Sequence, residues 1–215
     1  MRTLIYVPII HAESDLGTMA DDVRAQFDAL RESGDNWERR AAAIDSMWDG
    51  IRAKLFALPV EWRRTRVYQD GLPVCHLEAQ IVKDLAAKGS RNFQLLLELA
   101  ARGGTVMGAD KLELLIEEYQ RVQKLVQAAR DGASDEAVRE LQDEGDAILR
   151  KRDEFIAAHI QDTLQEGETG VLFLGVLHRV DELLAGKFEV RHLIHSLPFE
   201  SDVRRLLKER QRYGS

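Results

Sequence analysis

A histidine follows the most apolar run of the chain. Six of the seven residues from Val171 to Leu177 are large and apolar, without alternating polar residues, which is typical of a strand covered on both faces. The run ends at His178, and residues 179–184 have the pattern of the first turns of a helix. Because open α/β sheets bind ligands just beyond the carboxyl ends of their strands, His178 is a candidate for chemistry.

An arginine in the preceding helix is predicted to lie level with this histidine. Apolar residues at helical spacing predict a helix from about 135 to 166, and Arg152 falls on its apolar stripe. Arg152 lies about 21 Å from the end of that helix, and the strand before His178 covers about 23 Å. A guanidinium on an apolar face needs a partner or a polar cavity. Arg152 therefore serves a site, or it pairs with a structural carboxylate such as Asp153, or it extends its head to solvent.

The N-terminal segment repeats this order of strand and histidine. Residues 3–10 form a β-branched and aromatic run that predicts a second buried strand, and His11 and Glu13 follow it. A helix is predicted after this loop, from about 15 to 32. We expect His11 and Glu13 at the same edge of the sheet as His178.

Two aspartates follow shorter predicted strands. Residues 66–69 predict a strand that leads into a turn beginning at Asp70. Residues 105–107 predict another strand, and Asp110 comes shortly after it. Asp110 has a structural alternative, because it can cap the helix that is predicted to begin at Lys111.

The side chains collected at this edge suit a mononuclear metal site or a general acid and base pair. They are His11, Glu13, Asp70, Asp110, Arg152 and His178. Two imidazoles and a carboxylate bind Zn²⁺, Mn²⁺ or Fe²⁺ and leave a position for water, whose pKa the metal lowers. A second carboxylate can then act as base. The sequence has no P-loop, Gly-x-Ser-x-Gly, Cys-x-x-Cys or dinucleotide-binding motif that would indicate another chemistry.

These positions require a parallel sheet with helices on its faces. Strands alternating with helical segments predict a single α/β domain over residues 1–215, with a mainly parallel sheet of about five strands. Two long helices on either side of the turn at 131–134 predict a helical hairpin, inserted at about 110–166. The hairpin is longer than the strands and is expected to project beyond the sheet, where it would contact a second subunit in a homodimer.

Composition excludes several classes of partner. The net charge is −7 and the pI is near 5.5, which argues against nucleic-acid binding, since that needs a concentrated basic surface. No run of about 20 apolar residues predicts a membrane span. A single cysteine, Cys75, rules out an internal disulfide and fits a reducing compartment, so a cytoplasmic location is expected.

Three segments resemble one known group of proteins. They are Val7-Pro8-Ile9-Ile10-His11-Ala12-Glu13-Ser14-Asp15, Arg152-Asp153 with Ile156-Ala157, and Gly170-Val171-Leu172-Phe173-Leu174-Gly175-Val176-Leu177-His178. Together they resemble the TraB/PrgY, ChaN and EreA-like proteins, often grouped as the TIKI superfamily, and a set of uncharacterised bacterial proteins. In that group a strand ends in histidine near the N-terminus, a helix carries an arginine, and a late strand ends in Gly-x-x-His.

The resemblance implies an active-site scaffold without selecting one reaction. Members are variously described as metal-dependent proteases, hydrolases of antibiotic esters, haem-binding proteins and pheromone-shutdown proteins. This chain departs from the pattern at two places. It lacks the glycine that usually precedes the first histidine, and only Asp70 or Asp110 stands for the central glutamate of the group.

Our hypothesis is a metal-dependent hydrolase with its cleft at the carboxyl ends of the strands. His11, Glu13 and His178 would bind the divalent metal, Asp70 would be a catalytic carboxylate, and Arg152 would stabilise an oxyanion. The substrate would be a small molecule or a peptide. One alternative is a non-catalytic protein that binds a small anion or a tetrapyrrole through Arg152. Another is an oligomeric scaffold whose interface is the helical hairpin.

Overall fold

The computed structural model describes residues 2–10 and 37–195, and its centre is a sheet of five parallel strands in the order β3-β2-β4-β1-β5. The strands are β1 (Thr3–Ile9), β2 (Thr65–Pro73), β3 (Thr105–Asp110), β4 (Thr169–Gly175) and β5 (Glu189–His192). The prediction of a mainly parallel sheet of about five strands is confirmed.

Six α-helices lie in the described part of the chain. They are α1 (Trp37–Ala57), α2 (Glu78–Ala87), α3 (Arg91–Ala101), α4 (Leu112–Arg130), α5 (Asp135–Thr163) and α6 (Val180–Leu184), with a short 3₁₀ turn at Trp62–Arg64. Ser90 and Ser134 cap α3 and α5, because each side chain accepts a hydrogen bond from a backbone N–H in the first turn. None of these helices is both long and apolar enough to cross a bilayer. The helix predicted at about 15–32 lies outside the described residues.

Strands β1 to β4 each contribute side chains to two separate cores, one on each face of the sheet. On β4, Val171 and Phe173 pack with α1, α2 and α3, whereas Leu172 and Leu174 pack with α5 and α6. Because successive side chains of a strand point to opposite faces, a sheet covered by helices on both faces needs strands that are apolar throughout. This is the reason for the uninterrupted apolar run before His178.

The end of strand β2 differs from the predicted one. The strand does not end at residue 69 but continues to Pro73, so residues 70–73 are not a turn. Pairing between β2 and β3 shifts register between Gln69 and Pro73, and Gly71 has a φ of +74°, which a glycine adopts without steric cost. An Asp-Gly pair here produces a bulge within the strand rather than a turn.

The predicted helical hairpin is formed by α4 and α5. Arg121 on α4 donates to the carbonyl of Leu141 on α5, and Lys124 lies 3.6 Å from Glu144 across the pair. The buried side chains of its seam, such as Val126 and Ile148, belong to neither core of the sheet. The hairpin therefore has an apolar seam of its own.

Candidate functional site

The site lies where the chain leaves neighbouring strands toward opposite faces of the sheet. After β2 the chain continues into α2, which packs on one core, and after β4 it continues into α6, which packs on the other. The carboxyl ends of β2 and β4 therefore form a switch point of the sheet, which is the position where parallel α/β sheets bind ligands. Five charged or titratable side chains meet beside it and are at most 8% exposed. We call them the carboxyl-edge cluster: Asp70, Asp110, Arg152, Asp153 and His178.

Arg152 joins the ends of β2 and β3 to helix α5. Its Nε and Nη2 donate to the two carboxylate oxygens of Asp110 at 2.8 and 3.0 Å, and Nη2 also donates to Oδ1 of Asp70 at 2.6 Å. Nη1 lies 3.9 Å from Glu118 on α4. A planar guanidinium forms two parallel hydrogen bonds with a carboxylate more readily than any other side chain. The buried arginine is therefore paired, and its pairing connects three elements.

The carboxylate of Asp110 does not cap helix α4. The N-cap of that helix is Lys111, whose side chain makes no capping hydrogen bond, so the capping alternative is wrong. Oδ2 of Asp110 instead accepts a second hydrogen bond, at 2.8 Å, from the backbone N–H of Gly71 in the bulge of β2. A cap contributes about 1 kcal/mol, whereas a buried guanidinium without its partner costs several kcal/mol, and this difference explains the choice.

His178 is held by the residue that follows Arg152. Its Nδ1 lies 2.5 Å from Oδ1 of Asp153, and Oδ2 of the same carboxylate accepts from the backbone N–H of Arg179 at 3.0 Å. The backbone N–H of His178 donates to the carbonyl of Gly175 at 3.0 Å. The ring is therefore fixed from both its backbone and its side chain.

The second ring nitrogen of His178 faces Asp70. Nε2 lies 3.6 Å from Oδ2 of Asp70, and this oxygen also accepts from the backbone N–H of Gly175 at 2.8 Å. A separation of 3.6 Å is too long for a direct hydrogen bond. Nε2 and Oδ2 are thus neighbours at the carboxyl ends of β2 and β4 without a direct hydrogen bond between them.

The charges of the cluster act on each other and on a neighbouring tyrosine. Burial alone would lower the pKa of Arg152, but the charges of Asp70 and Asp110 outweigh it and raise that pKa above its ordinary value. Burial raises the pKa of Tyr6 on β1, and the carboxylates of Asp181, Asp153 and Asp70 raise it further. The cluster contains three carboxylate side chains and one guanidinium, so its acidic groups outnumber its arginine.

The structure brings together four of the six residues that the sequence placed at this edge. Asp70, Asp110, Arg152 and His178 lie in the cluster, and Arg152 is level with His178 as the lengths of helix and strand predicted. His11 and Glu13 lie outside the described residues. Among the described residues, no three His, Cys, Asp or Glu side chains form a group that could hold a metal ion.

Asp153 and Glu118 were missed as members of the site. Asp153 was considered only as a partner of Arg152, but its side chain contacts His178 and not that arginine. The sequence does indicate that Asp153 is buried. It lies three, four and seven residues before Ile156, Ala157 and Ile160, which are buried on the same face of α5. Glu118 is partly exposed and no pattern in the sequence indicates its role.

Comparison with protein-family models, with curated proteins and with solved structures gave no match. The resemblance to the TIKI group therefore remains a prediction from the motifs that carry it. The geometry of the carboxyl-edge cluster is the observation on which a function can be argued.

Proposed function

We propose that this chain is a metal-dependent hydrolase whose reacting water lies at Nε2 of His178. One observation carries the proposal: a buried carboxylate holds Nδ1 of His178, while Nε2 lies 3.6 Å from Oδ2 of Asp70 at the carboxyl ends of β2 and β4. A carboxylate that orients a histidine in this way is the usual support both for a general base and for a metal ligand.

Three residues of the cluster would have separate roles in hydrolysis. Nε2 of His178 would bind the metal ion, and the carboxylate of Asp70, 3.6 Å from Nε2, would be the base for the reacting water. Arg152 keeps Asp70 in place through the hydrogen bond to Oδ1. Three of its hydrogen bonds go to carboxylates, so Nη1 is the end that would face an oxyanion.

The proposed ligands of the metal ion are His11, Glu13 and His178. Nε2 of His178 would be the donor at the carboxyl end of β4, and Asp70, whose Oδ2 is 3.6 Å from Nε2, would stand beside the ligand set as the catalytic carboxylate. Zn²⁺, Mn²⁺ or Fe²⁺ bound there would lower the pKa of its water toward neutrality.

The charge of the cluster favours a neutral or cationic substrate, either a small molecule or a peptide. The cluster contains three carboxylates but only one guanidinium, which pairs with Asp110 and Asp70, and an anionic substrate would be repelled by the excess of acidic groups. The same argument makes binding of a small anion through Arg152 the weaker alternative, because its charge is already compensated by Asp70 and Asp110.

Hydrolysis of a panel of neutral esters and peptides tests the proposal. We expect the wild-type protein to hydrolyse a member of the panel, and His178→Gln to lose at least about 100-fold in kcat/KM. His192→Gln is the matched control, since His192 is an exposed histidine at the end of β5, and it should retain wild-type activity. Equal rates for the wild type and His178→Gln on every substrate would remove His178 from the reaction.

A scaffold function is the alternative that the burial of the cluster favours. Its hydrogen bonds connect β2, β3, β4 and α5, so it would stabilise the fold even without a reaction. In that case His178→Gln would lower the free energy of unfolding while the wild type hydrolysed nothing in the panel.

We place the protein in the cytoplasm as a homodimer that uses the helical hairpin as its interface. Leu112 and Ile116 are one turn apart on α4, and each is 46% exposed. Two large apolar side chains on one exposed helical face suit contact with the same face of a second copy.

A further inference from the structure

The carboxylate of Asp153 accepts hydrogen bonds from two donors of different kinds. Oδ1 faces Nδ1 of His178, and Oδ2 accepts from the backbone N–H of Arg179. The backbone N–H is a donor in every state, whereas a neutral imidazole carries its proton on either nitrogen. An ionised carboxylate only accepts, so a neutral His178 satisfies this contact by carrying its proton on Nδ1.

We propose that Asp153 is the positioning residue of the site and holds His178 in the Nδ1–H tautomer, so that the lone pair of Nε2 faces Asp70. The catalytic consequence rests on the proposed function, but the tautomer follows from the contacts alone. Asp153 is 5% exposed and lies on the buried face of α5, so water does not compete freely for its oxygens.

The neighbouring backbone N–H determines what the isosteric change Asp153→Asn would do. An asparagine offers one acceptor where the carboxylate offered two, and the N–H of Arg179 cannot give up its proton. The amide oxygen should therefore turn to Arg179, which leaves the NH₂ group facing Nδ1 of His178. Nδ1 would then have to accept, and the proton would move to Nε2, the nitrogen that lies 3.6 Å from Oδ2 of Asp70. We expect the substitution to reverse the tautomer.

Long-range proton–nitrogen correlation NMR of the histidine rings measures the tautomer without an assay. The spectra are recorded in the presence of EDTA, at a pH where the ring is neutral, and His178→Gln identifies the signal. We expect Nδ1–H in the wild type and Nε2–H in Asp153→Asn. Asp181→Asn is the matched control, because Asp181 makes an exposed contact of 3.1 Å with Nε2 of His192, and it should leave the His178 signal unchanged.

Two results would overturn the inference. One is an Nε2–H ring or a doubly protonated ring in the wild type under these conditions. The wild-type spectrum alone gives this result, so it overturns the inference even if the Asp153→Asn protein does not fold. The other is a folded Asp153→Asn protein whose His178 keeps the wild-type tautomer.

Activity separates this inference from the proposed function. A reversed tautomer leaves Nε2 without the lone pair that a metal ligand needs, so hydrolysis should fall by about 10³- to 10⁴-fold, as expected for a histidine held in the wrong tautomer. Reversal of the tautomer in a protein that hydrolyses nothing would leave Asp153 as the positioning residue and reject the hydrolase. Reversal with unchanged hydrolysis would reject a catalytic role of the tautomer.

Discussion

Arg152 is the residue whose loss should affect the fold most. Its removal would leave the buried carboxylates of Asp70 and Asp110 without their cation, and breaking a buried ion pair costs about 3–5 kcal/mol. We therefore expect Arg152→Met to lower the free energy of unfolding by roughly that amount in urea titrations.

The control for this change is Arg52→Met. Arg52 pairs with Glu98 at 2.7 Å, but both side chains are at least 40% exposed, and exposed pairs contribute little to stability. We expect almost no change in its unfolding midpoint. Equal losses for Arg152→Met and Arg52→Met would contradict the view that burial makes Arg152 important.

Tyr68 predicts how stability changes at alkaline pH. Burial raises its pKa to about 12, while its hydroxyl is hydrogen bonded to Thr163. Between pH 10 and 12 the unfolded chain loses the tyrosine proton and the folded protein keeps it. The contribution of Tyr68 to the free energy of unfolding is therefore complete below pH 10 and is lost as the pH rises through that window. The unfolding free energy of the wild type should therefore fall more steeply above pH 10 than that of Tyr68→Phe. Parallel curves for the two proteins would show that the folded protein does not shift this pKa.

The residues of the site were predictable where their position follows from one element. His178 and Arg152 could be placed because the length of a buried strand and the stripe of a helix fix them. The pairing of Asp110 with Arg152 could not be predicted. The residues around Asp110 fit a helix cap equally well, and the arginine that decides between the two roles lies on α5, about 40 residues later in the chain. Asp153 was missed because an aspartate next to an arginine suggested a local pair.

At the scale of elements, the bulge of β2 depends on close approach to β3. A Cβ atom at Gly108 would lie 2.4 Å from the carbonyl oxygen of Pro73, so Gly108→Ala must separate the two strands beside Asp110. We expect a loss of about 1–3 kcal/mol or more in unfolding free energy, together with a loss of hydrolysis.

Gly132→Ala is the comparison for that change. Gly132 lies in the turn of the hairpin with a φ of +66°, and its Cβ would contact nothing within 4 Å. It should cost about 1–2 kcal/mol through backbone strain and leave hydrolysis intact. A Gly108→Ala protein that kept full activity would show that the spacing of β2 and β3 does not position the cluster.

The order of elements could be predicted from the sequence, but the extent of β2 could not. Uninterrupted apolar runs predict the strands and apolar stripes at helical spacing predict the helices. The two patterns differ clearly because a strand in a sheet covered on both faces is apolar throughout. The segment from Asp70 to Pro73 has the composition of a turn, and only its pairing with β3 keeps it in the sheet. Long-range pairing of this kind has no local signal.

The proposed homodimer predicts that a charge placed on the hairpin changes the oligomeric state of the whole molecule. Ile116→Glu places a carboxylate on the exposed apolar face of α4 and should shift the protein from dimer to monomer in sedimentation velocity experiments. Leu183→Glu is the control, since Leu183 is a similarly exposed leucine on α6, outside the hairpin. A wild type that sediments as a monomer, or an unchanged dimer in Ile116→Glu, would reject this interface.

The proposed hydrolytic site depends on metal binding by Nε2 of His178. Metal analysis by mass spectrometry tests it most directly, on protein purified without a histidine tag, beside His178→Ala and the exposed-histidine control His192→Ala. We predict nearly one divalent metal ion per chain in the wild type and in His192→Ala, and almost none in His178→Ala. No metal in a folded wild type, or equal metal in His178→Ala, would contradict the claim.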